Sequence, residues 1–351
     1  MKKIILPLLI LTFPFIGLSA QIKYFNLDGI NYRLVKDTIN GNNNMSAKVI
    51  TMGDIDYYKG EISIPSSVMY DGVEYPVTAI DNMAFRCCKQ LTSITIPSSV
   101  VDIPAAAFYG CYNLQTIVVS DDNEKYDSRD NCNAIIETAT NTLIASCEKT
   151  VVPQDVTAFG DCAFFGHKSL TSLTVDDDLE EMGRWVFLDC ENIEFLNWNS
   201  SLPLTPVTKL LKSSLKKVFL GDSVSSISNY AFTDCKNLES INIPSTVKAI
   251  GVKAFAGCDG LKSITIPSSV EKICLDAFDM CDNIETLYWN SNENLSYVLP
   301  SLKSTLKTIV IGDSVTSLEV SAFRSCKNLI SVSVSSGNLV YDSRNDCNAI
   351  I

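Results

Sequence analysis

Histidine is almost missing from this chain: His167 is the only one in 351 residues. That scarcity excludes His-pair acid–base chemistry and His-rich metal centres. Basic side chains are also few, 28 against 40 acidic ones, for a formal charge of -12. A general nucleic-acid binder needs a basic stripe to displace counterions from phosphate, so that class is set aside. The HExxH and GxSxG motifs, Gly-rich phosphate loops and an RGD tripeptide are all lacking. No segment after the N-terminus approaches eighteen uninterrupted apolar residues, so no transmembrane span is expected there. What the chain does have is apolar material for a core, 46% of its residues, and thirteen cysteines, an odd number that cannot pair fully within one chain.

Residues 1–20 have the layout of a secretory signal peptide. Lys2 and Lys3 form a positive start, Ile4 to Leu18 is an apolar stretch broken by Pro7, Thr12, Pro14 and Gly17, and Ser19-Ala20 offers a small-residue cleavage site before Gln21. No cysteine precedes Cys87, so a lipid-anchored lipoprotein is not supported. The expected mature chain is soluble, acidic and outside the cytoplasm: secreted, at the cell surface, or periplasmic.

An Ala-Phe pair followed by Cys recurs along most of the sequence. Its phenylalanines are Phe85, Phe108, Phe164, Phe187, Phe232, Phe255, Phe278 and Phe323, spaced by 23, 56, 23, 45, 23, 23 and 45 residues. Val186 replaces the Ala once, and His167 replaces the Cys once. An apolar residue stands five before each Phe and another six after it, as Ile250 and Leu261 frame Phe255. An alternating run follows, such as Ser263-Ile264-Thr265-Ile266-Pro267, which reads as a strand ending in a turn. A unit of 23 residues with one short strand cannot bury its apolar edge alone. Stacked units can, with backbone ladders joining neighbours at about 4.8 Å per coil. One continuous solenoid is therefore expected rather than several globules.

The pattern Leu-x-x-Ile-x-Ile-Pro-x-x-Val-x-x-Ile-x-x-x-Ala-Phe-x-x-Cys resembles the BspA-like leucine-rich repeat family of bacterial surface proteins. Leu261 to Cys281 matches it at every defined position. The resemblance implies an α/β-type repeat solenoid, with a parallel β-sheet on one face and short helical or irregular segments opposite. On this reading residues 77–351 are the solenoid and residues 21–76 a β-rich N-terminal cap, with a separate binding domain as the alternative for that segment. Strand-like alternation runs over Tyr24 to Val35 and Lys48 to Tyr58, separated by a turn at Asn40 to Asn44. A cap would protect the ladder edge of the first coil.

Two interruptions are themselves duplicated. Trp-Asn-Ser followed by Gly-Asp-Ser-Val occurs at Trp198 with Gly221 and at Trp289 with Gly312. The run Tyr126 to Ile136 recurs at Tyr341 to Ile351, so the C-terminus is expected to fall in mid-repeat.

Seven cysteines form one column of the repeat: Cys88, Cys111, Cys190, Cys235, Cys258, Cys281 and Cys326. Packing as small hydrophobes outweighs a metal or disulfide role there. Off the column, Cys132 and Cys147 are the best candidate disulfide. His167 reads as a packed variant of the column, and the acidic run Asp176-Asp177-Asp178 with Glu180-Glu181 as a solvated turn rather than a calcium loop. Asp127 to Asp130 reads as a turn with local Asp–Arg pairing. No cofactor motif is found, and the reading is not that of an enzyme.

The outward strand positions are mostly Ser, Thr and Asn, among them Ser240, Asn242 and Thr265, interrupted by Phe195, Lys217, Phe219 and Tyr288. Aromatics on an otherwise small polar face suit a binding hot spot. Leucine-rich-repeat proteins, by resemblance, bind partners on this face, with adhesion as the usual role. The expected ligand is an extracellular protein, a cell surface or a glycan. The alternatives are a carboxylate-based glycan-processing enzyme, or a structural stalk presenting a further C-terminal domain.

Overall fold

Alternating strands that cannot bury themselves do stack. The computed structural model describes residues 23–36, 45–51, 57–319, 322–343 and 350; residues 1–20, read above as an export signal, residues 40–44, read as a turn, and Cys347 lie outside them. The chain winds as a solenoid whose successive strands pair in parallel, in register, one coil apart. Lys59–Ser63, Gln90–Ile96 and Thr116–Val119 form the first ladder. Ser172–Val175, Phe195–Trp198, Lys217–Leu220 and Ser240–Ile241 form the second. Ser263–Ile266, Thr286–Trp289, Thr308–Ile311 and Ser331–Val334 form the third. The second and fourth residue of a regular strand point inward, as Ile264 and Ile266 do, and the first and third point out. A minor parallel ladder of two-residue strands, such as Ser226–Ile227, Ala249–Ile250 and Lys272–Ile273, runs beside the main one.

The Phe side chains stack as expected. Ring centroids are 5.4 Å apart for Phe232–Phe255 and 5.2 Å for Phe255–Phe278, with planes within 11° and 9° of parallel. Where successive rings are 23 residues apart, at Phe85–Phe108, Phe164–Phe187, Phe232–Phe255 and Phe255–Phe278, each buries a face against the same residue of the next coil, so one repeat supplies what its neighbour lacks. Opposite the sheet, the Ala-Phe segments are turns, except that Ala322–Ser325 closes into a short 3-10 helix. The α-helices, Thr205–Leu211 and Leu299–Leu302, occur in the two longer coils, where the extra residues leave room for them.

At the N-terminal end, Tyr24 to Val35 is a hairpin rather than one strand. Tyr24–Leu27 turns at Asp28-Gly29, both left-handed with φ of 49° and 85°, into Ile30–Lys36. That pairing of conformations is the tight turn that matches strand twist. Lys48 to Tyr58 is likewise not one strand, since Met45–Val49 ends before Ile50. Met45–Val49 then pairs in parallel with Val73–Ile80. The rung at Lys59–Ser63 already belongs to the parallel ladder, ahead of the first Ala-Phe pair. The duplicated Tyr126 run opens an antiparallel excursion: Tyr126–Asp127, Ala134–Glu137 and Thr142–Ser146 fold out between two coils.

The Gly-Asp-Ser-Val runs are explained by the longer coils. A Cβ on Gly221 would lie 2.1 Å from Asn199 Oδ1, and one on Gly312 only 1.3 Å from Asn290 Oδ1. The Asn after each Trp occupies the space a side chain would need, and Asn199 Oδ1 accepts from the Ser223 amide.

Candidate functional site

The register puts the outward residues in two columns. The first-position column runs Ser172, Phe195, Lys217, Ser240; the third-position column has Thr174, Asn197 and Phe219 side by side. Phe195, Lys217 and Phe219 are therefore neighbours on adjacent strands. The Lys217 ammonium lies 5.7 Å from the centre of the Phe195 ring, a cation–π contact. Phe195 is 43% and Phe219 58% exposed, so the longer coil does not fold over them. Tyr288, 43% exposed, sits in the third position of Thr286–Trp289, between Thr265 and Val310. It is three strands from Phe219, about 14 Å at the usual spacing, and is not part of the same cluster. Val118, 45% exposed, is a further apolar outward residue.

Asn242 does not face solvent freely. Its amide nitrogen donates to the Leu220 carbonyl at 2.8 Å and its Oδ1 accepts from the Leu220 amide at 2.7 Å. The side chain takes the place of a backbone rung, so the strand ends at Ile241 and the main sheet is interrupted there. Ile241 and Ile243 are consequently only half-buried, unlike Ile264 and Ile266 in the next coil.

The cysteine column has a specific geometry. The thiols of Cys111, Cys190, Cys258 and Cys281 donate to the carbonyls of Phe85, Phe164, Phe232 and Phe255, at 3.0, 3.0, 3.1 and 3.0 Å. Each acceptor lies in the preceding coil and already takes the backbone amide three residues on, as Phe232 takes that of Cys235 at 3.1 Å; the thiol fills the second lone pair of the carbonyl and ties one coil to the next. Cys88 heads the column and reaches the Arg86 carbonyl at 3.8 Å; Cys235 and Cys326 are buried in the same frame. Burial pushes the thiols of Cys190, Cys235 and Cys281 up to about 12, and Cys258 further still. Protonated thiols held this way are poor nucleophiles and poor metal ligands. Cys132 and Cys147, the best disulfide candidates in the sequence, are free thiols as well, and Cys147 Sγ donates to the Asn133 carbonyl at 3.3 Å.

His167 has Nε2 2.9 Å from Ser146 Oγ and Nδ1 3.4 Å from the Phe165 carbonyl. Burial depresses its pKa. The space beside the pair is about 10 Å³, room for a single water and no substrate. Asp176, Asp177, Asp178 and Glu180 are exposed around a turn and Glu181, also exposed, opens the short strand Glu181–Met182; no group of three or more His, Cys, Asp or Glu among the described residues is placed to hold a metal ion. Arg129 pairs with Asp127 at 2.6 Å and with Asp155 and Asn141, tying the antiparallel excursion together.

Two recurring positions escape a reading based on side-chain type. Asn113, Asn192, Asn237, Asn283 and Asn328, two residues after the column Cys, each donate to a carbonyl of the preceding coil at 2.6–2.9 Å. The recurrent Cys-x-Asn was the available signal. The residue two after each Phe is left-handed in seven coils: Cys87, Gly110, Gly166, Asp189, Asp234, Gly257 and Met280, with φ of 53–77°. Three glycines in that frame were the only hint, because the other coils carry residues that disfavour it.

Parallel rungs in register, a Phe stack and a thiol ladder define a leucine-rich-repeat solenoid with a broad strand face. The BspA type leucine rich repeat region matches residues 61–143, 134–208 and 205–330, in six copies. The chain belongs to that family. A leucine-rich repeat protein from Bacteroides ovatus ATCC 8483 is similar in fold, with 22% identity and a TM-score of 0.53, over 88% of this chain and 82% of that one. A leucine rich cell surface protein from Faecalibacterium prausnitzii A2-165 aligns at 22% identity and a TM-score of 0.34, over 93% and 97% of the two chains. A leucine-rich repeat protein from Eubacterium ventriosum ATCC 27560 aligns at 17% identity and 0.46, over 73% and 94%. No curated protein matches the sequence.

Proposed function

We propose that this protein is exported and binds an extracellular protein, a cell surface or a glycan through the outward strand face of its solenoid, in the manner of an adhesin and without catalysis. The observation that carries this reading is the cluster Phe195, Lys217 and Phe219, exposed on a face otherwise built of small polar residues. Exposed aromatics held on rigid strands lose little conformational freedom on binding, which is what a hot spot requires. Tyr288 would serve as a separate contact farther along the same face. Export rests on the layout of residues 1–20, and no helix among the described residues is long and apolar enough to cross a membrane.

The test is binding of the purified mature protein to matrix proteins, cell surfaces and a glycan array. A Phe195→Ala/Phe219→Ala variant that keeps the wild-type circular dichroism should bind at least tenfold more weakly. Undiminished binding by that variant would remove the aromatic cluster from the interface, and the absence of any ligand across all three panels would end the adhesive reading.

A further inference from the structure

The charge of this chain is unevenly distributed. From Thr205 to Lys272 there are nine lysines against five acidic residues, a local charge of +4 in a chain of -12. Four of those lysines are matched by carboxylates: Lys212 with Asp234, Lys216 with Glu194, Lys248 with Glu271 and Lys253 with Asp279. Lys236 and Lys262 have no such ion pair among the described residues. They converge with Lys216 on one open recess of about 480 Å³, lined also by Asn237, Glu239 and Gly260. Lys216 is held by Glu194 at 2.7 Å, so the recess keeps Lys236 and Lys262 against Glu239, an excess of one positive charge.

The fold accounts for the recess. Gly260 stands two residues after Cys258, where five other coils carry the clamping Asn. A Cβ there would meet the Leu238 carbonyl at 2.5 Å, so no side chain can fill the gap. Lys216, Glu239 and Lys262 each immediately precede an outward strand residue, so the recess borders the strand face. Lys216 is next in sequence to Lys217 of the aromatic cluster. Fixed cationic groups thus sit directly beside exposed rings on one surface.

We infer that this surface takes an acidic polysaccharide, with a carboxylate or sulfate group in the lysine recess and sugar rings laid on Phe195 and Phe219. The inference rests on the strand-face reading above and names its ligand class. The outward strand positions around Phe195 and Phe219 are small and polar, among them Ser172, Thr174, Asn197 and Ser240. A repeating polymer of rings and anions matches both elements at once. Attraction between fixed cations and a polyanion is long-ranged and screened by salt.

The experiment measures binding of the mature protein to heparin, polygalacturonate, neutral dextran and poly-L-glutamate at low and high salt. The expected result is that heparin or polygalacturonate binds at least tenfold more tightly than dextran, with affinity falling as salt rises. Lys236→Glu/Lys262→Glu should lower that affinity at least tenfold and leave circular dichroism unchanged; Lys236→Gln/Lys262→Gln, a milder change, should lower it less. Phe195→Ala/Phe219→Ala should weaken it as well. Equal binding of dextran and the acidic polymers, unaffected by the lysine changes, overturns the anion inference while leaving the strand face standing. Lysine-dependent binding that ignores the aromatic change overturns the shared surface and leaves the strand-face reading to its own binding test. Poly-L-glutamate binding as tightly as the polysaccharides overturns the glycan assignment. No binding to either acidic polysaccharide at low salt overturns the inference, whatever protein ligand the strand face proves to have.

Discussion

The Cys258 thiol lies 3.1 Å from the carbonyl oxygen of Phe232, its acceptor in the preceding coil. Phe232 and Cys258 are both fully buried, so no water can replace that contact. The Phe232 carbonyl keeps the Cys235 amide at 3.1 Å, so Cys258→Ala should lower stability by about 1 kcal/mol, through the loss of one inter-coil hydrogen bond and a small void. Urea denaturation of the two proteins measures the difference; a variant as stable as wild type would sink the idea that the thiols hold the coils together as donors.

The same thiols make stability sensitive to alkali. Their folded pKa values are raised, to about 12 for Cys190, Cys235 and Cys281, by burial in the stack. A thiol in the unfolded chain ionises near 8.5. The stabilisation is thus complete below about pH 8.5 and is lost as pH rises towards 12. At pH 10 each such thiol should have cost the fold about 2 kcal/mol relative to pH 7. Denaturant midpoints at pH 7 and pH 10 test this, and a flat profile between them contradicts it.

The two duplicated tryptophans should differ. Trp198 Nε1 donates to the Ser200 carbonyl at 3.1 Å, whereas Trp289 Nε1 is buried without a partner. Replacing either by Phe removes similar volume, but only Trp198→Phe also abandons an acceptor. Trp198→Phe should cost about 1 kcal/mol more than Trp289→Phe. Equal costs in parallel unfolding measurements would show that the Trp198 contact contributes nothing.

Met280 is left-handed with φ of 53° and its side chain is 58% exposed. Glycine fills the same frame at Gly257, with φ of 71°. Met280→Gly should relieve about 1 kcal/mol of backbone strain while giving up little burial. Gly257→Ala should move the other way, since its Cβ would approach Asp234 Oδ1 at 3.0 Å. Thermal unfolding of both variants checks the opposite signs.

Much of the architecture is legible along the chain because side-chain identity repeats with the coil. The Phe stack, the inward Ile pairs of Ser263–Ile266 and the cysteine column all follow from a 23-residue period and the fact that a coil buries its apolar edge only against its neighbour. The hairpin at Asp28-Gly29 escaped that reading, which saw only strand-like alternation over Tyr24 to Val35, although an Asp-Gly turn dipeptide stands inside the run.

What the period does not carry is backbone conformation and the distance between coils. Cys87, Asp189 and Met280 share one left-handed position with no shared chemistry, because the stack imposes the turn on whatever residue stands there. Asn242 fits the strand pattern residue by residue, yet its amide turns in to bond Leu220, a choice made by the neighbouring strand. Phe195 and Phe219 become neighbours while Tyr288 stands apart, because proximity on a solenoid is counted in rungs. Amino-acid order alone determined which residues repeat and face outward. Only the stacking of one coil on the next decided which of them meet, which carbonyls a thiol of the next coil reaches, and where Gly260 leaves a lysine-lined gap beside the aromatic face.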